Sequence, residues 1–372
     1  MRSIRLRADV YAPRVSAEVG RAHDCYEAVS LAQSQERRVH MRTGGCMLRR
    51  SLAHAAGAAV IASSLLVPVS PQESRPDVEF APVGRLIDLG GRRLHQVCSG
   101  EGSPAVVIEN GAGGFSLDWV RVQSEVAKIT KVCSYDRAGY AWSDSGPTQD
   151  TVEQTIDDLH LLLRKTVRPT YVLVGASLGA IYARAYQRRF PEQVVGMVLV
   201  DGTHDEAITF MSAGKRVPIS MLSAEELRVA YAQYEKEAPR PSAGRPDQEP
   251  LNRLSAELQR VRYWAFEKLI RDVGLLPKGG AAAESWRQEF TALRRQRLGE
   301  THPLGDLPLS VLERSNDVDS TWHAQQVELA ALSAVGKHLK VDDSGHMIQL
   351  YRPDAVAAAI RGVVLAVRRQ KH

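Results

Sequence analysis

Residues 171–184 read Tyr-Val-Leu-Val-Gly-Ala-Ser-Leu-Gly-Ala-Ile-Tyr-Ala-Arg, and the apolar period changes at the serine in their middle. Before Gly175 lies a run typical of a buried strand; after Ser177 the apolar positions Leu178, Ile181, Tyr182, Ala185 and Tyr186 recur at helical spacing. Gly175-x-Ser177-x-Gly179 is what a strained strand-to-helix turn requires, because small neighbours let strand and helix pass closely while the serine is exposed at the tip. Glycine accounts for 28 of 372 residues, so the pattern gains its weight from its position between two periods. The alternative is an ordinary βα turn whose serine caps the helix.

Around this stretch the chain alternates. Strands are expected at 85–89 and 92–99, joined by a Gly-Gly turn into a hairpin, then at 105–108, 131–136, 171–174 and 194–200. Helices are expected at 151–165 and 178–189. The alternation stops between Gly202 and His302, where the chain is polar and helical, with a capping box at Ser223-Ala224-Glu225-Glu226. Leu251, Leu254, Leu258, Val261 and Trp264 fall along one helix face, and residues 238–250, with four prolines, read as a loop. Strands resume at 307–312 and 338–341, with a helix over 322–332 between them and a final helix after Pro353. The expectation is a mostly parallel, eight-stranded sheet flanked by helices, with a helical lid over about 203–302 inserted between the sixth and seventh strands.

Residues 1–50 hold ten Arg, no Lys and five Asp or Glu; removing them from totals of 48 basic and 43 acidic leaves 38 against 38. The net charge of +5 therefore belongs to the leader, and no nucleic-acid partner is implied. Within that leader, Arg49 and Arg50 precede an Ala-rich apolar run over 53–69, and a Pro/Ser/Glu stretch follows. Residues 47–70 are thus expected to be an export signal or a membrane anchor, with the body beyond residue 77 outside the cytoplasm. Residues 1–46 are anomalous in front of such a signal, so translation from Met41 or Met47 is expected. Cys46, with no apolar run before it, is not a lipid-modification site.

With these elements placed, the chain from about residue 84 resembles the α/β-hydrolase superfamily. The resemblance rests on Glu109-Asn110-Gly111-Ala112-Gly113, Tyr135-Asp136-Arg137-Ala138-Gly139-Tyr140-Ala141-Trp142-Ser143-Asp144, Gly175-Ala176-Ser177-Leu178-Gly179, Val200-Asp201 and Ser344-Gly345-His346, in the family's order. Two positions depart from the commonest form: Asn110 and Ala176 stand where a histidine is frequent. The resemblance implies an enzyme in which Ser177 is the nucleophile and His346 the base. A serine needs a base to take its proton, and the base must be neutral, so activity is expected to fall as pH drops through roughly 6 to 7. For the orienting acid, Asp317 in the loop after the seventh strand is preferred, and Asp201, 24 residues beyond the nucleophile, is the alternative. The loser of the two is expected to be a turn or capping aspartate. Oxyanion-binding amides are expected at Leu178 and Ala112, with Gly113 next in line.

Asp136, Arg137 and Trp142 read as parts of a structural turn, and His204, His302, His323 and His338 as ordinary lid or strand residues. The family's strand order makes the strands of Cys98 and Cys133 neighbours, so a disulfide between them is possible. No Cys/His group has metal-ligand spacing and no phosphate-cradling loop is present, so no cofactor or metal is expected. The expected partner is a small acyl substrate. Peptidase, thioesterase and C–C bond hydrolase chemistry stay open beside ester cleavage, as does a catalytically silent ligand-binding module.

Overall fold

The structure, a computed structural model, describes residues 80–147, 151–237, 248–274 and 279–370. The export or anchor segment, Cys46, the alternative starts at Met41 and Met47, and most of the proline-rich stretch lie outside the described residues. Among the described residues no helix is long and apolar enough to cross a membrane.

Eight strands form one sheet: β1 (Arg85–Asp88), β2 (Arg93–Ser99), β3 (Ala105–Glu109), β4 (Val132–Tyr135), β5 (Tyr171–Ala176), β6 (Val194–Val200), β9 (Leu309–Arg314) and β10 (Lys337–Val341). Two further strands, β7 (Thr209–Ser212) and β8 (Lys215–Pro218), pair separately. The order across the sheet is β1-β2-β4-β3-β5-β6-β9-β10. β2 runs antiparallel to both β1 and β4, and the remaining pairs are parallel.

Because the central strands are covered on both faces, their side chains divide by parity into two cores. Val107, Leu173, Met197, Leu199 and Val311 face α2 (Val152–Thr166) and α3 (Gly179–Arg189). Val106, Ile108, Val172, Val174, Val198 and Val200 face α1 (Val120–Val126) and α9 (Pro353–Gln370), the latter through Val356, Ile360, Val363, Val364 and Val367. Each such fully buried aliphatic chain contributes about 1.5–3 kcal/mol of transfer free energy. Several helices start at a side chain that caps them. Thr151 accepts from the Gln154 amide at the start of α2, and Asp319 accepts from the Trp322 amide at the start of α7 (Ser320–Ala330).

The inserted segment differs from the expectation of an all-helical unit. It opens with the β7–β8 hairpin, turned by Ala213 and Gly214, both at positive φ (48° and 76°); two successive residues in that region match the twist of flanking strands. Among the described residues three α-helices follow: α4 (Ala224–Glu237), α5 (Ala256–Asp272) and α6 (Gly280–Gly299). The capping box forms as expected, with the Ser223 amide on Glu226 Oε2 (2.9 Å) and the Glu226 amide on Ser223 Oγ (3.2 Å). The expected five-residue apolar face is shorter. Leu251 and Leu254 precede the helix, since Ser255 accepts from the Leu258 amide and starts α5 at Ala256.

Cys98 and Cys133, opposite one another in the β2–β4 register, are disulfide-bonded. The last short helix, α8 (Ile348–Tyr351), leads from the loop after β10 into α9.

Candidate active site

β5 ends at Ala176, and Ser177 turns the chain with φ +49° before α3 begins at Gly179. A non-glycine residue in this conformation costs of order 1 kcal/mol, and surrounding bonds must hold it there. They do so from the end of β6 and the loop after it: the Ser177 amide donates to Val200 O (3.0 Å) and the Thr203 amide donates to Ser177 O (3.0 Å). A Cβ on Gly175 would come within 2.5 Å of Gly179 O, and one on Gly179 within 2.3 Å of Glu109 O, so the pattern's small residues are a packing requirement.

His346 lies in the loop after β10. Its Nε2 is 2.9 Å from Ser177 Oγ, and its Nδ1 is 2.5 Å from Asp201 Oδ2. The acid on the imidazole is therefore Asp201 rather than the preferred Asp317. The reason is the sheet: β6 adjoins β5, Val200 pairs with Ala176, and the residue after each strand emerges at the same level. Asp317 turns the chain at φ +54° and gives its carbonyl to Arg314 Nη2 (3.2 Å), the turn role expected of the loser.

Asp201 is fully buried, itself at φ +45°, and held by three further donors. These are Arg314 Nη1 on Oδ2 (2.5 Å), the Arg314 amide on Oδ1 (3.2 Å) and Trp322 Nε1 on Oδ1 (2.9 Å). Burial alone would raise the carboxyl, but the hydrogen bond and charge of His346 and the Arg314 guanidinium outweigh it and keep Asp201 below the ordinary carboxylate value. Neither Arg314 nor Trp322 had a signal in the sequence, since both act on a residue more than a hundred positions earlier.

The glycine-rich loop after β3 lies against the serine: a Cβ on Gly111 would be 3.0 Å from Ser177 Cβ. Asn110 anchors the loop, its Nδ2 donating to Tyr135 O (3.0 Å) and its Oδ1 accepting from Trp119 Nε1 (2.6 Å). The side chain is buried and spent on these two bonds. Arg137, read from the sequence as part of a bare turn, does more. Its Nη1 donates to Asn110 O (2.6 Å) and Glu109 Oε1 (2.8 Å), and its Nη2 to Gly111 O (2.7 Å), so one buried guanidinium fixes the loop that continues into Ala112 and Gly113. Leu178 is the N-cap of α3, at a helix start where backbone N–H groups have no intrahelical acceptor. Ser177 and His346 are both half-buried.

A sequence model described as "Alpha/beta hydrolase family" matches residues 106–359. Among curated proteins, a probable transporter from Hormonema carpetanum is 24% identical over 300 residues, covering 75% of this chain and 42% of its own length. The chain thus spans less than half of that relative. Among solved structures, a thermophilic esterase from Thermogutta terrifontis is similar with a TM-score of 0.54, 20% identity and coverage of 76% of this chain and 97% of its own. An enol-lactonase from Burkholderia xenovorans LB400 is similar with a TM-score of 0.51, 22% identity and coverage of 74% and 98%.

Proposed function

The chain belongs to the alpha/beta hydrolase family, and from that premise we propose that this hydrolase cleaves a carboxylic ester, or a similarly activated acyl bond, through an acyl-enzyme on Ser177. The observation that carries the reading is the line Ser177 Oγ, His346, Asp201, at 2.9 and 2.5 Å, with the Gly111 loop packed on the serine. His346 takes the serine proton as the hydroxyl attacks the carbonyl, and returns it to the leaving alcohol. Asp201 holds the ring with Nδ1–H toward the carboxylate and stabilises the imidazolium that forms. The amides of Leu178 and Ala112, with Gly113 beside it, receive the oxyanion. The fold likeness to an esterase and an enol-lactonase agrees with an ester-type carbonyl as the target.

The insert over 203–302 serves as a lid that shapes a pocket for a small or medium acyl group. Arg262 on α5 supports that placement, reaching across to Asp118 (2.8 Å) just beyond the glycine-rich loop. The Cys98–Cys133 bond supports export to an oxidising compartment, as the apolar leader does, with the leader either removed or retained as an anchor. The test is labelling of purified protein by a fluorophosphonate. Wild type should label, and Ser177→Ala and His346→Ala should not. A folded wild type that does not label overturns the proposal in favour of a silent binding module.

A further inference from the structure

Glu313 is the next-to-last residue of β9, one before Arg314, and by strand alternation its side chain takes the opposite face. It is fully buried, yet the groups that meet its carboxylate are two imidazoles. His338 Nε2, from β10, is 2.5 Å from Oε2; His323 Nδ1, from α7, is 2.9 Å from Oε2 and 3.2 Å from Oε1. The three donor atoms all lie within 4.8 Å of one another. Among the described residues no Lys or Arg forms an ion pair with Glu313. A carboxylate at this depth calls for a compensating positive charge, and the arrangement offers two ways to supply it: protonated imidazoles, or a cation held between neutral ones.

We infer that Glu313, His323 and His338 form a binding site for a late first-row divalent metal ion of the zinc class. Two ring nitrogens with one carboxylate suit zinc, nickel or copper, whereas magnesium and calcium call for oxygen sets. At bond lengths of about 2.0–2.1 Å, tetrahedral ligand atoms stand roughly 3.4 Å apart, so the hydrogen-bonded side chains need to open by less than about 1 Å. The His323 and His338 side chains are 53% and 22% exposed, which leaves the solvent side free for water as a fourth ligand and for entry of the ion. The three ligands sit on three different elements, so an ion there ties edge strand β10 and helix α7 to β9. Both supports of Asp201 are chain neighbours of ligands: Arg314 follows Glu313, and Trp322 precedes His323. The site thus braces the acid's surroundings from the other face of the strand.

The test is titration of chelator-treated full-length protein with zinc chloride by calorimetry, beside thermal unfolding with and without zinc. Histidines elsewhere can bind zinc weakly, so the readout is the difference from Glu313→Gln, His338→Ala and His323→Ala. Wild type should show one site more than each variant, or a site at least about tenfold tighter, since even outer partners of metal ligands are worth roughly 10- to 100-fold. Zinc should raise the melting temperature of wild type and leave that of the variants unchanged. His323 lies on a helix surface, so its replacement keeps the comparison valid if the buried substitution fails to fold. Zinc isotherms that are the same in wild type and His323→Ala, or magnesium binding as tightly as zinc, would overturn the assignment.

Discussion

His346 Nδ1 and Asp201 Oδ2 stand 2.5 Å apart, across 145 residues of chain. The same carboxylate oxygen takes Arg314 Nη1, so Asp201 is anchored by a guanidinium as well as by the imidazole. Replacing Asp201 by Asn keeps the shape but removes the charge that selects the Nδ1–H tautomer. By analogy with other serine triads, kcat should fall about 10⁴-fold. Asp317→Asn, which touches only the turn, should change kcat by less than about threefold, on the scale of a surface change within about 0.5 kcal/mol. Steady-state kinetics on one soluble ester decides between them, and equal losses would remove Asp201 from its role.

Arg137 yields a second expectation. Its guanidinium holds the carbonyls of Asn110 and Gly111, so removing it frees the loop proposed to carry the oxyanion amides. A displacement near 1 Å at such a site costs about 100-fold, and the loss should appear in kcat more than in KM. Arg137→Met also strands Glu109 without its cation, at a cost of about 3–5 kcal/mol in stability. Arg137→Lys should recover part of the stability but little of the rate, because an ammonium cannot span both carbonyls and the carboxylate. Thermal unfolding and kcat measured on the same samples separate the two effects.

The elbow was legible because one glycine pattern coincided with a change of period, both local signals at Ser177. His346 was legible for a similar reason, a glycine turn after the last strand. The acid was not, because the loops after β6 and β9 open on the same sheet edge and only the pairing of Ala176 with Val200 shows which lies nearer the serine. Arg137 looked idle because the three backbone and side-chain acceptors it serves lie 26 to 28 residues earlier. Spacing alone could not assemble Glu313, His323 and His338 either, as they come from two strands and a helix. The β7–β8 hairpin was hidden by its brevity: four-residue strands with half-exposed sides carry little alternation to read.

The disulfide gives a third expectation. Cys98 and Cys133 are separated by 35 residues, and closing a loop of that size removes about 4 kcal/mol of unfolded-chain entropy in the loop-closure model. The double substitution to Ser, or full reduction, should therefore lower the melting temperature by several degrees while leaving the Ser177 site labelled by fluorophosphonate at low temperature. Peptide mapping without reductant checks the premise. Recovery of both cysteines as alkylated thiols from protein isolated without reductant would refute it.

The last expectation concerns acid. His204 follows β6 and is buried to 1% exposure, and its imidazole is pushed down to about 4. Burial is the main cause; Asp205 pulls the other way, and the charges of Arg184 and Arg297 add to the depression. The ring is therefore neutral in the folded protein, its Nδ1 accepting from the Glu206 amide at 3.2 Å. Since the folded value lies below the free value of about 6.5, the unfolded chain binds more protons between those limits, and stability falls as pH drops through them. The stabilisation is complete above about 6.5 and levels off below about 4, for a loss of up to about 3 kcal/mol. Asp201 and Asp205, both held below the ordinary carboxylate value against the effect of burial, act in a lower window, beneath about 4. Urea melts between pH 7 and 4 should therefore show a declining midpoint in wild type and a flatter one in His204→Gln. Parallel curves for the two proteins would show that the imidazole is charged in the fold, or that its burial is relieved by water.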